Sequence, residues 1–355
     1  MWASKELIYL VLALSLTGYQ QYLFEIAQRK QYLRALEEQA LPTGRTTNGP
    51  HPMTPIHNAT RDLPAAVRII KIFDPPRDRG DDRGLKQASG KKVGIVLPTL
   101  DEGRNLLRLV PMLEDVFAER NIDGHLFIVD DNSRDGTEGF MKGLARAHKN
   151  ITFIQRPGKL GLGSAYRLGF KHALKAGMDV IFEMDADLSH RPSYIPAFLE
   201  CMNRCDASLV IGSRYCDKGG TSGWSLWRKV ISFVANMLTQ VTLGVSQTRD
   251  MTSGFRAYKA STLESIGYGS LVTNGYAWQI ETLYKAYLGQ HVIREIPILF
   301  HERLAGTSKL GRDDVMEFIV FLFKAIVYRM KDAARRVATE TRHPASRDRT
   351  WRRGV

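Results

Sequence analysis

Three short apolar runs, each stopped by a polar cluster that carries acids, constrain this chain more than any other feature. Val93-Gly94-Ile95-Val96-Leu97 meets Pro98 and then Asp101-Glu102. Leu126-Phe127-Ile128-Val129 meets Asp130-Asp131, and Val180-Ile181-Phe182 leads into Asp185 and Asp187, one residue apart. Ile151–Ile154 reads as a further strand. Between the runs the spacing turns helical. Leu106, Leu109, Val110, Leu113, Val116 and Phe117 share a stripe over Asn105–Arg120, and helices are predicted over 137–148 and 163–176. Apolar strands alternating with helices predict an α/β fold, a mainly parallel sheet flanked by helices. In such sheets ligands bind beyond the carboxyl ends of the strands, where all three polar clusters fall.

Asp185 and Asp187 are the sharpest of these clusters. Two carboxylates about 4 Å apart repel by roughly 4 kcal/mol at an effective dielectric near 20. Either they are solvated loop acids, or a bound cation offsets the repulsion. Two common α/β ligands do not fit the glycines. Gly161-Leu162-Gly163 is followed by Ser164-Ala165-Tyr166, so the third glycine of a dinucleotide fingerprint is missing, and no phosphate-binding G-x-x-x-x-G-K-[ST] occurs. What remains is a nucleotide site that uses acids for the base or ribose and a metal for the diphosphate.

Seven ordered motifs carry a family resemblance: LPTLDEGRNL at 97–106, IVDDNSRDGT at 128–137, LGLGSAYRLG at 160–169, MDADLSHRP at 184–192, GSRY at 212–215, TSGFRAY at 252–258 and FHERLAGTSKLG at 300–311. Over roughly residues 91–328 the chain resembles the dolichol-phosphate (polyprenyl-phosphate) mannosyltransferases, inverting nucleotide-sugar transferases of the GT-A, Rossmann-like fold. The resemblance implies transfer of mannose from GDP-mannose to dolichyl or another polyprenyl phosphate. It implies that Pro98, Leu100 and Glu102 line the nucleotide, with Val129 and Asp131 at the base. Asp185 and Asp187 would bind Mg2+ or Mn2+ on the donor diphosphate, beside the Ala186 backbone. Arg214, Arg303 and Lys309 would hold phosphates, and Arg228 would lie near the acceptor phosphate. Asp187, Arg214, Arg228 and Arg303 are the expected catalytic set.

The chain departs from the family pattern at two of these positions. Leu100 replaces the usual tyrosine near the base, which leaves UDP-glucose as an alternative donor. Ser189 stands where some relatives place a glutamine as third metal ligand. A non-catalytic membrane adaptor of the same fold is the reading from another class, and the intact acids and bases argue against it.

The chemistry accounts for these residue types. Hard carboxylate oxygens suit Mg2+ or Mn2+. A lipid phosphate is already anionic and hardly needs a general base, and no histidine occupies a convincing base position. His190 is either a support for the acid pair or a plain loop residue. Asp250 and Arg256 are a candidate ion pair. Gln279 and Glu281, in WQIE, are placed either at the site or at the edge of the core.

The net charge of +13 implies an anionic partner. Nucleic acid is the less suitable one, since no recognised module or aromatic–basic platform is present. The tail 329–355 holds nine basic residues against three acidic ones. Residues 1–40 contain the apolar run Leu7–Leu16, half the length that spans a bilayer. It reads as an interfacial helix or marginal anchor, with a signal-peptide core and a soluble helix as alternatives. Residues 41–90, rich in proline, glycine and Arg/Asp runs, read as a flexible linker to a catalytic domain over 91–328. An apolar arc over Asp313–Tyr328 reads as core, with Phe321 and Phe323 extending it toward a membrane. Together these features predict a membrane-associated protein with its catalytic domain in the cytosol, at the endoplasmic reticulum if eukaryotic and at the inner or plasma membrane if prokaryotic. That placement leaves room for accessory membrane subunits. Cys201, Cys205 and Cys216 are read as reduced thiols.

Overall fold

The computed structural model describes residues 90–275, 277–302 and 316–326. The N-terminal helix, nearly all of the linker, the basic tail, Arg303 and Lys309 lie outside the described residues.

The three apolar runs become neighbouring central strands. They are β1 (Lys92–Thr99), β2 (Asp123–Asp130) and β4 (Val180–Glu183), and β3 (Ile151–Gln155) extends the sheet beside β2. Five further strands complete the main sheet or flank it: β5 (Leu209–Ser213), β6 (Gly220–Ser222), β7 (Arg256–Lys259), β8 (Ile293–Pro297) and β9 (Leu299–His301). The seven-stranded sheet has the order β3-β2-β1-β4-β7-β5-β8, and β6 pairs with β9 in a separate two-stranded sheet. Register aligns the strand ends, with Thr99 opposite Asp130 and Val96 opposite Glu183. The polar clusters therefore share one edge.

Mainly parallel order holds, with one exception that the sequence patterns do not reveal. Strand β7 runs antiparallel to both β4 and β5. It therefore starts at the edge where its neighbours β4 and β5 end, and delivers Ser253-Gly254-Phe255 to the carboxyl rim.

Helices cover both faces, which is why the central strands are apolar throughout. They are α1 (Gly103–Glu119), α2 (Thr137–Ala147), α3 (Leu162–Lys175), α4 (Ile195–Arg204), α5 (Leu226–Leu243), α6 (Ala260–Ser265), α7 (Ala277–Leu288) and α8, residues 316–326. One core cluster joins Leu106, Leu109 and Leu113 of α1 to Phe182, Phe198 and Phe255. The other joins Phe170 of α3 to Tyr258, Trp278 and Leu283. Gly169 lets α3 approach β1, because a Cβ there would lie 2.2 Å from Val96 Cγ1. Gly161, at φ 92°, lets the 271–275 segment close on α3, since its Cβ would meet Asn274 O at 2.5 Å. The Gly-x-Gly of this loop thus serves backbone packing.

The α8 stripe differs from its reading. Phe318, Phe321 and Ala325 pack on the core, while Ile319 and Ile326, read as core, face outward with Phe323. No described helix is long and apolar enough to cross a membrane.

Candidate active site

Most acids after β1 and β2 are consumed by main-chain groups. Asp130, fully buried, accepts from Ser133 N (3.0 Å), Ser133 Oγ and Thr99 Oγ1. Ser133 Oγ accepts from Asp101 N (2.8 Å), and Asp101 Oδ1 accepts from Arg134 N (2.7 Å). Asp135 accepts from Gly103 N (2.9 Å) and Thr137 N (3.1 Å). These bonds knit the two loops together. Asp101, Asn132 and, after β4, Leu188 all take positive φ. Left-handed non-glycine residues cost roughly 1–2 kcal/mol each and concentrate at functional sites.

Pro98, Leu100 and Glu102 sit on this rim, each partly exposed. The Val129 side chain does not, being fully buried in the core, so only its backbone is available to a ligand. Asp131 pairs with Arg156, whose Nη1 also donates to Ser164 Oγ (2.6 Å). Burial pushes the Asp131 carboxyl above its ordinary range, and the Arg156 bond and charge pull against that shift. Arg156 escaped the sequence reading. Its signal was a basic residue directly after β3, level with the acids after β2.

Beyond β4 the backbone turns through Asp185–Ser189. Asp185 is about one-third exposed and Asp187 is 4% exposed. Ala186 is buried between them. Asp187 Oδ1 accepts from Ser189 N (3.0 Å), and Tyr166 Oη reaches Asp185 Oδ1 at 3.5 Å. His190 is a support and not a plain loop residue. Its ring stacks on Phe255 at 4.9 Å, and Nδ1 accepts the Asp185 N–H at 3.1 Å. Burial pushes its pKa down, against the raising effect of Asp185 and Asp187. A neutral imidazole accepting at Nδ1 makes no ion pair with Asp185, although Nδ1 lies 3.9 Å from Asp185 Oδ2.

The donor set here fits a hard divalent cation. Two carboxylates stand one residue apart on a loop held by His190 and Ser189, and diphosphate or water oxygens would supply the rest. The Ser189 hydroxyl is fully buried with no hydrogen-bond partner among the described residues. No group of three or more His, Cys, Asp or Glu side chains suited to a metal occurs among the described residues.

The other side of the same rim is basic and aromatic. Arg214, after β5, is locked in a fork on buried Asp250, with Nε–Oδ2 and Nη2–Oδ1 both 2.7 Å, and donates also to Thr252 Oγ1 (2.8 Å). Burial alone would raise the Asp250 pKa, but Arg214 outweighs it and holds the carboxyl below its usual range. Arg214, not Arg256, is therefore Asp250's partner. Arg256 is fully buried and donates to Ser253 O (2.7 Å), Met251 O (2.9 Å), Gln279 O and Thr282 Oγ1. Arg228 lies in the first turn of α5, 4.2 Å over the Trp224 ring and 3.4 Å from Glu302 Oε1. Around it α5 exposes Leu226 (79%), Trp227 (72%), Val230, Ile231 and Phe233.

Gln279 and Glu281 of WQIE are both buried. Glu281 is structural, accepting from Thr273 N (2.9 Å), Thr273 Oγ1 (2.6 Å) and Val272 N. Trp278 donates to Glu183 Oε1 (2.7 Å), a buried carboxyl raised to about 7 by burial and, more weakly, by Asp185. Cys201, Cys205 and Cys216 are free thiols.

Comparison with known proteins identifies the family. Residues 94–267 match Glycosyl transferase family 2. The chain is 36% identical over 230 residues to an undecaprenyl-phosphate mannosyltransferase of Micrococcus luteus, covering 64% of this chain and 91% of that protein. The chain belongs to glycosyl transferase family 2, among its polyprenyl-phosphate mannosyltransferases. A polyprenol monophosphomannose synthase of Mycolicibacterium smegmatis is 35% identical over 224 residues, covering 63% of this chain and 82% of the relative. As a member of that family the chain is a glycosyltransferase. Its GT-A fold is shared with glucosyl-3-phosphoglycerate synthase of Mycobacterium tuberculosis, solved with Mn2+, UDP and glucosyl-3-phosphoglycerate. That likeness has a TM-score of 0.53 at 16% identity, over 74% of this chain and 88% of that one. The same synthase with Mg2+ and UDP gives 0.52 at 17% identity, over 73% and 86%.

Proposed function

We propose that this chain transfers mannose from GDP-mannose to dolichyl or another polyprenyl phosphate at a membrane surface. The observation that carries the reading is the Asp185/Asp187 pair at the end of central strand β4, in a chain 36% identical to an undecaprenyl-phosphate mannosyltransferase. Pro98, Leu100, Glu102, the Val129 backbone and Asp131 take the nucleotide on the knitted rim, with Arg156 orienting Asp131. Asp185 and Asp187, beside Ala186, hold Mg2+ or Mn2+, which when bound stabilises the leaving diphosphate as a Lewis acid. The fold neighbours solved with Mn2+ or Mg2+ and UDP support a divalent ion.

Arg214, Arg228, Arg303 and Lys309 collect and orient the phosphates, a role suited to the planar fork of arginine. The acceptor phosphate is already anionic, so no side chain has to remove a proton. This agrees with His190, whose Nδ1 lone pair is taken by the Asp185 N–H. The exposed apolar residues of α5 flank Arg228, and α8 exposes Ile319 and Phe323. Surfaces of this kind support docking on lipid, where the acceptor resides. Residues 1–40 and the basic tail would add to that contact, and the catalytic domain would face the cytosol.

The test is synthesis of lipid-linked sugar. Purified full-length protein is given dolichyl phosphate, Mg2+ or Mn2+, and GDP-mannose or UDP-glucose. Mannolipid that disappears with a chelator is the expected product. Glucolipid alone would overturn the donor, for which Leu100 is the weak point. No lipid-linked sugar from either donor would overturn the reaction.

A further inference from the structure

We propose that Gln279 is a further substrate-contacting residue, its carboxamide hydrogen-bonding a hydroxyl of the donor hexose across from Asp185. The inference deepens the function proposed above and rests on it for a nucleotide-sugar donor.

Gly254 marks the place. A methyl group on Gly254 would lie 3.6 Å from Asp185 Oδ1 and 3.7 Å from Gln279 Nε2. The carboxylate and the amide thus flank one methyl-sized space at the carboxyl rim. Neither usual reason for glycine applies there. Gly254 is not among the residues with positive φ, and an added Cβ would meet only ordinary contacts. Leaving that space open for a ligand atom does account for it. The antiparallel course of β7 is what brings Gly254 to this edge.

Gln279 is 3% exposed, and its Oε1 is buried with no hydrogen-bond partner among the described residues. A buried amide is seldom left unsatisfied in a finished structure. Its main chain is fixed independently, because Gln279 O accepts from Arg256 Nη1 and Thr282 Oγ1. Amide oxygen and nitrogen exchange by a half-turn, so either atom can face the opening. Glu281, two residues on, is spent on Thr273 and Val272 and cannot take this role.

The chemistry selects a sugar hydroxyl. An amide offers both a donor and an acceptor, matching a hydroxyl, and adds no charge beside two carboxylates. A site that hydrogen-bonds a substrate hydroxyl discriminates strongly against ligands lacking it.

The experiment compares ligands with and without the hexose. Calorimetry on the full-length protein with Mn2+ measures GDP and GDP-mannose binding, beside steady-state kinetics for mannolipid. Gln279→Ala is expected to leave GDP affinity within about twofold and to weaken GDP-mannose, or lower kcat/KM, by about tenfold or more. Gly254→Ala, which fills the space in van der Waals contact with the amide but leaves its hydrogen-bonding groups in place, should give the same pattern. Equal losses for GDP and GDP-mannose, or no loss in either variant, would overturn the inference. If wild-type protein uses UDP-glucose instead, the donor reading fails, and the same comparison of UDP with UDP-glucose still decides the role of Gln279. Thermal melts of both variants separate loss of contact from loss of fold.

Discussion

The loops after β1 and β2 and the segment from β5 into α5 bring charge to the same edge of the sheet, but they hold it differently. On the first side Asp101 and Asp135 are tied by main-chain N–H groups from the neighbouring loop, and Asp130 by Ser133 N of its own loop and the Thr99 hydroxyl. Those acids are cross-links, and the rim they build is set before any ligand arrives. On the second side Arg214 is clamped by Asp250 and lies 5.4 Å from the Trp224 ring, while Arg228 rests on Trp224 among exposed apolar residues. One side is a polar frame suited to a nucleotide, and the other joins cations to an apolar surface suited to a lipid phosphate. An acid-rich loop therefore does not identify a ligand site until its main-chain partners are known.

Breaking the polar side at its proposed ion site should have the largest effect. Asp187→Ala is expected to lower turnover about a thousandfold, equivalent to about 4 kcal/mol, with unchanged circular dichroism. Product formation above a tenth of wild type would remove Asp187 from the mechanism.

The clamp of the second side comes next. Asp250→Asn leaves the Arg214 guanidinium buried without its counter-charge and should cost about 3–5 kcal/mol of stability at pH 7 by urea unfolding. The sign with pH follows from the depressed Asp250 pKa. Its stabilisation is complete above the unfolded value near 4 and is lost as pH falls through the lower folded value. The gap between wild type and variant should therefore narrow below about pH 4. A gap that stays constant with pH would show that the lost stability does not come from the ion pair.

The apolar surface can be tested without disturbing either frame. Trp227→Glu should weaken binding to anionic lipid vesicles by about tenfold, or about 1.4 kcal/mol, and leave the thermal midpoint in place. Activity on a short, water-soluble prenyl phosphate should survive. Unchanged vesicle binding would detach α5 from the lipid.

The smallest effect is expected where the two first loops meet. Ser133→Ala removes the two hydrogen bonds of the Ser133 hydroxyl, from Asp101 N and to Asp130 Oδ1, and should cost about 1 kcal/mol. A thermal midpoint equal to wild type would mean that the frame is held by its remaining bonds alone.

Much of this could be read from local pattern. The strand runs at 93, 126, 151 and 180 and the helices at 105, 137 and 163 appear within a few residues of their predicted bounds. Periodicity is a local property, and burial on both faces of a parallel sheet enforces it. The acid pair was legible because it closes a strand. Arg156 against Asp131, Arg214 in place of Arg256 against Asp250, and Ile319 turned outward on α8 were not. Each depends on which distant residue arrives beside it, and spacing along the chain carries no such information.

By itself, then, the sequence determined the layered α/β plan, the shared edge for its polar clusters and the family signature that names the chemistry. Tertiary structure alone decided which charges are tied into the frame and which are left at the rim. It did so through the reversed direction of β7, which carries Gly254 to the rim opposite Asp185 and buries Arg256 among carbonyls. The physical reason is that a charge's role follows from its burial and its partners, and both are set by contacts between residues far apart in the chain.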